Sequence, residues 1–155
     1  MSHNILIIED DQNARTALSK LLARIGYNIS LAGSGEKGLE VLEKENIHLV
    51  LCDIKLPGID GLEVLEKVRQ QRKDIPFVMM TAFGSIEKAV KAIKMGAIDF
   101  IEKPLDLEII RETVSSALKL PEYLKERDKL FQEMKEKKGF GEMVGASKVM
   151  QEIFS

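Results

Sequence analysis

Five short apolar or β-branched runs punctuate the chain: Ile5 to Ile8, Ile29 to Leu31, Leu49 to Cys52, Phe77 to Met80 and Ile98 to Ile101. Their starts lie 24, 20, 28 and 21 residues apart, too far for hairpins and far enough for a helix between each pair. The intervening segments repeat with a helical period instead. Ala14, Leu18, Leu21, Leu22 and Ile25 share one face; so do Leu62, Leu65 and Val68, then Ile86, Ala89, Val90 and Ile93, then Leu107, Ile110, Val114 and Ala117. The second helix, around Leu39 and Leu42, is marked more weakly. Gly26 and Gly96 stand where left-handed C-terminal caps would sit. The pattern predicts an α/β fold of (βα)5 type with a parallel sheet.

Crossovers in such a sheet are right-handed, and ligands bind beyond the carboxyl ends of the strands where the winding reverses. The flavodoxin-like three-layer arrangement, with strand order 2-1-3-4-5, makes the ends of the first and third strands neighbours. Glu9, Asp10 and Asp11 follow the first strand, and Asp53 follows the third. Thr81 ends the fourth strand and Lys103 ends the fifth, so a hydroxyl and an ammonium group can reach the same crevice.

Composition narrows the function classes. The 155 residues carry 23 basic and 25 acidic side chains, a formal charge of -2, so no basic surface points to nucleic acid as a direct partner. With 45% hydrophobic residues the chain can bury a core. Its single cysteine, Cys52, excludes an internal disulfide framework and an all-cysteine zinc site. The start, MSHNILIIEDD, lacks the long apolar stretch of a secretory signal, and no run approaches the roughly 18 apolar residues of a membrane span. These features predict a soluble, cytoplasmic protein.

Carboxylates brought within a few ångströms repel one another unless a cation neutralises them, and a hard divalent ion such as Mg2+ suits an all-oxygen set. Acids at a helix start also complement the helix dipole, a reading that covers Glu9, Asp10 and Asp11 but leaves Asp53 unexplained. A threonine ending a strand is usually a helix cap, and a lone lysine is usually a solvated charge. Together, the acids, the isolated Asp53, Thr81 and Lys103 suit a carboxylate nucleophile that accepts a phosphoryl group. No GxGxxG or GxxxxGK[ST] loop is present to cradle a nucleotide, and the consecutive first-strand acids differ from the DxD of haloacid dehalogenase-type phosphatases. An aspartyl-phosphate phosphohydrolase and a phosphate-independent docking module are the competing readings.

The motifs ILIIEDD, LCDIKLPGIDG, MTAFGSIEKAV and KMGAIDFIEKP, in this order and spacing, resemble the receiver domain of two-component response regulators over roughly residues 4 to 119. The resemblance implies that Asp53 takes a phosphoryl group from a sensor histidine kinase. It further implies that Glu9, Asp10, Asp53 and the Lys55 backbone carbonyl hold Mg2+, and that Thr81 and Lys103 contact the phosphoryl group. Such a chain catalyses its own phosphorylation and dephosphorylation. The Lys103–Pro104 bond is expected to be cis. Phe100 matches the family's aromatic switch position, though plain sheet core explains it equally well, and residues 85 to 119 would form the readout face. Lys55 and Phe83 occupy the positions that influence water attack, and neither is suited to orienting water, so self-dephosphorylation is expected to be unremarkable or slow. In PGIDG, the proline and glycines read as turn chemistry.

Beyond Lys119 the composition shifts. Leu120, Leu124, Phe131 and Met134 approximate a heptad seam, broken by Arg127. A receiver over 1 to 119 is therefore followed by a linker helix over 120 to 138, read as a short dimerising coil that would make a homodimer, with a solvated linker helix as the competing reading. KMGAIDFIEKP and the final VGASKVMQEIF resemble activators of sigma-54 RNA polymerase of the NtrC and DctD type, so 139 to 155 would open an AAA+ ATPase domain. Its Walker motifs are absent, and no ATPase activity is expected.

Overall fold

The structure, a computed structural model, describes residues 3–71, 74–82 and 84–119. Contacts divide the chain into Met1–Leu120 and Pro121–Ser155. The second unit, with the expected linker helix and ATPase opening, lies outside the described residues, as does Phe83.

Strands β1 (Asn4–Ile8), β2 (Asn28–Ala32), β3 (Leu49–Asp53), β4 (Phe77–Thr81) and β5 (Asp99–Glu102) alternate with helices α1 (Gln12–Ile25), α2 (Gly35–Lys44), α3 (Gly61–Gln71) and α4 (Ile86–Lys94). A fifth helix, α5, follows over 107–119. The sheet is parallel throughout, in the order β2-β1-β3-β4-β5. This is the flavodoxin-like topology expected from the sequence. Every strand lies within a residue of its apolar run, and β5 is displaced by one, beginning at Asp99 instead of Ile98.

Alternating strand residues feed two apolar layers. On one side Leu6, Ile8, Val50, Cys52, Phe77 and Met79 pack with Leu42 of α2, Val64, Leu65 and Val68 of α3 and Ala92 of α4. On the other, Ile5, Ile7, Leu49, Leu51, Val78 and Met80 pack with Leu18 and Leu22 of α1 and Ile110, Val114 and Ala117 of α5. β1, β3 and β4 are covered on both faces, which is why they read as unbroken apolar runs. Gly26 and Gly96 take φ of 118° and 114° beyond their helices.

Helix α4 departs from the expected orientation. Its buried residues are Ala89 and Ala92, whereas Ile86, Val90 and Ile93 are 57%, 45% and 41% exposed. Small side chains let this helix lie close to the sheet, so the larger apolar stripe faces outward. The PGIDG turn also divides its labour. Gly58 has a positive φ of 74°, but Gly61 is required for space, because a Cβ there would overlap the Asp53 carbonyl oxygen.

Candidate functional site

Strand register assembles the site. Ile8 pairs with Cys52, Asp53 with Met80, and Thr81 with Glu102. Glu9, Asp53, Thr81 and Lys103 therefore form a staircase along the carboxyl edge of four adjacent strands. They line a cavity of about 430 Å³, joined by Asp10.

Lys103 is the centre of the ion pairing. Its Nζ donates to Asp53 Oδ2 at 2.7 Å and to Glu9 Oε1 at 3.0 Å. Burial opposes the charged ammonium, but the hydrogen bonds to Asp53 and Glu9 more than offset it and raise the pKa of Lys103 above its ordinary value. The bond between Lys103 and Pro104 is cis, as expected.

Glu9 is fully buried and Asp53 nearly so, at 0% and 6% exposure, whereas Asp10 is exposed. Burial pushes the Glu9 carboxyl up to about 7, with the neighbouring Asp53 adding to the rise and Lys103 only partly countering it. A second oxygen of Asp53, Oδ1, accepts from the Lys55 backbone N–H at 3.0 Å. One carboxylate oxygen from each of Glu9, Asp10 and Asp53 lies within 4.8 Å of the others. Three hard oxygen donors at that separation, one of them open to solvent, fit a small divalent cation that retains waters.

Thr81 is buried at the cavity wall, with its Oγ1 3.5 Å from the Ala82 carbonyl and 3.4 Å from that of Ser85. Contacts this long hold a hydroxyl weakly, so it is free to take a stronger acceptor. Phe100 is half-buried on β5 and packs against the apolar layer beneath α4. Cys52 is buried; burial pushes its thiol pKa well up, so it stays protonated and donates to the Asp53 carbonyl at 3.3 Å.

The remaining acid, Asp11, caps α1, accepting from the Asn13 N–H at 3.3 Å. Sequence reasoning missed Arg15, whose Nη1 donates to the Glu9 carbonyl at 2.8 Å and pins the acidic loop from within α1. A lone arginine in a first helical turn carries no local signal of such a reach. Also missed were Ser85 and Lys88, which line the cavity from the start of α4.

Comparison with known proteins agrees with this geometry. The response regulator receiver domain family matches residues 5–115. The transcriptional regulatory protein ZraR of Escherichia coli strain K12 is 40% identical over 121 residues, covering 76% of this chain and 27% of ZraR. The regulatory protein AtoC of the same strain is 32% identical over 151 residues, 97% of this chain and 33% of AtoC. The crystal structure of NtrX from Brucella abortus is 32% identical and superposes with a TM-score of 0.79, over 84% of this chain and 30% of NtrX. The chain thus spans about a quarter to a third of the length of these relatives. A parallel (βα)5 domain with an acidic pocket at its strand ends and a lysine bound into it defines a receiver domain of two-component signalling. The chain belongs to the response regulator receiver domain family.

Proposed function

We propose that Asp53 accepts a phosphoryl group from a phosphohistidine of a sensor histidine kinase and that the modified receiver controls an attached domain. The observation that carries this reading is Asp53 itself: a nearly buried carboxylate at a strand end, held by Lys103 at 2.7 Å and within shared ligand distance of Glu9 and Asp10. Glu9, Asp10, Asp53 and the Lys55 carbonyl are the residues that would hold Mg2+. Bound there, the ion supplies charge neutralisation for the phosphoryl oxygens and orients the donor.

The chain's own residues supply the rest. Asp53 Oδ1 or Oδ2 attacks phosphorus, the P–N bond breaks, and its electron pair returns to an imidazole whose other nitrogen carries a proton, so neutral histidine leaves. Lys103 shifts from carboxylate to phosphoryl oxygen, and Thr81 turns its weakly held hydroxyl toward another. The movement of Thr81 opens space that Phe100 can enter, passing the change to the face formed by residues 85 to 119. Residues 120–138 then act as a dimerising linker, and 139–155 as the opening of an AAA+ domain of a sigma-54 activator, in keeping with the regulatory names of ZraR and AtoC. The setting is cytoplasmic; among the described residues, no helix is long and apolar enough to cross a membrane.

The test is intact-protein mass after incubation with acetyl phosphate and Mg2+. An adduct that disappears in Asp53→Asn and without Mg2+ is the expected result. A folded protein that takes up neither phosphoryl group nor beryllofluoride would overturn the proposal.

A further inference from the structure

The cavity at the strand ends holds a cation that the proposed chemistry has not used. Lys88 lines it from the first turn of α4, and its side chain is exposed. Among the described residues the ion pairs at the site belong to Lys103, which is already committed to Asp53 and Glu9, and Lys88 has none. Its helical neighbours three and four positions away are Gly84, Ser85, Lys91 and Ala92, so no acid on its own helix can face it. The first turn of a helix is also the end where the dipole disfavours a cation. Lys88 thus lines, without a direct ion-pair partner among the described residues, a space that four carboxylates, Glu9, Asp10, Asp11 and Asp53, make hostile to phosphate.

The geometry points to Lys88 as a donor-selecting residue whose ammonium reaches from α4 to the incoming phosphoryl dianion, adding a second cation to a cavity whose Lys103 is already committed. This rests on Asp53 being the phosphoacceptor. With acetyl phosphate, an Asp53 oxygen attacks phosphorus, the P–O bond to the acetyl group breaks, and acetate leaves with the electron pair; no proton is required. The dianion must enter an acidic crevice before that step, and an unpaired cation at the rim raises its local concentration. After transfer, the same ammonium links α4 to the phosphoryl group.

The test compares second-order phosphorylation rates, with Mg2+, for wild type, Lys88→Gln, Lys88→Arg and Lys91→Gln. The donors are acetyl phosphate, a dianion, and phosphoramidate, which carries one fewer negative charge. Lys88→Gln should slow reaction with acetyl phosphate roughly threefold to tenfold and flatten its salt dependence, with a smaller effect on phosphoramidate. Lys88→Arg should retain the rate. Lys91→Gln, which removes the same charge from an exposed position of α4 outside the cavity, should react like wild type. A Lys88→Gln rate within about twofold of wild type, or an equal loss in Lys91→Gln, would overturn the assignment while leaving Asp53 as acceptor. No adduct on wild type, or an equal adduct on Asp53→Asn, would instead sink the acceptor reading and this inference with it. Because Lys88 is exposed, its variants should fold, and unchanged circular dichroism would confirm that a rate change reports chemistry.

Discussion

Glu9 is the residue at which burial and function pull against each other. Its carboxyl is raised from 4.5 to about 7, so the folded state holds a proton that the unfolded chain has already released across that interval. The stabilisation from this group is therefore complete below about pH 4.5 and is lost as pH rises through about 7. Metal-free protein should lose stability over that window, and Glu9→Gln should flatten that part of a denaturant-midpoint profile. Cation binding has the opposite sign, because a ligand must be deprotonated. Mg2+ affinity, measured by calorimetry or by fluorescence of an added probe, should weaken on acidification below about 7, approaching tenfold per pH unit. An affinity flat from pH 8 to 6 would show that Glu9 does not titrate against the ion.

Helix α4 carries two stripes, and the smaller one is buried. Ala89 and Ala92 are at 0% exposure, so enlarging either forces the helix off the sheet. Ala92→Leu is expected to cost about 1–3 kcal/mol in urea unfolding. Val90→Gln, on the outward stripe, should stay within about 0.5 kcal/mol of wild type. If the larger loss fell at Val90 instead, the orientation of α4 would be wrong. The C-terminal end of this helix is anchored where Arg69 of α3 donates through Nε at 3.1 Å and Nη2 at 2.7 Å to the Gly96 carbonyl. Its N-terminal end has no side-chain cap from Ser85; the loop before it is held by the Gly84 N–H to Glu102 at 3.0 Å. A helix so anchored can respond at the end nearest Asp53 while its far end stays fixed.

Among the described residues, both apolar layers are drawn from positions between Ile5 and Leu118. A chain cut after Lys119 is thus expected to unfold in one cooperative transition and to accept phosphate at Asp53 as fast as the full chain. A broad transition or a lost adduct in the shortened chain would show that residues beyond 119 contribute to the domain. At this scale much was legible beforehand. Apolar runs and helical periods are local properties, so β1 to β5 and their parallel pairing could be read from spacing, and strand-end placement under the flavodoxin-like order then named Glu9, Asp10, Asp53, Thr81 and Lys103. The direction in which α4 turns was not legible, because two apolar stripes at helical spacing compete and only the closeness of the sheet selects Ala89 and Ala92. Nor was the reach of Arg15 to Glu9, the burial that raises the Glu9 carboxyl, or the placement of Lys88 over the cavity. Lys103 and Glu9 are 94 positions apart, and their 3.0 Å contact exists only once four parallel strands have set their register. Local residue order specifies which groups stand at strand ends; distance, burial and unpaired charge come from chain segments that meet only in the folded sheet.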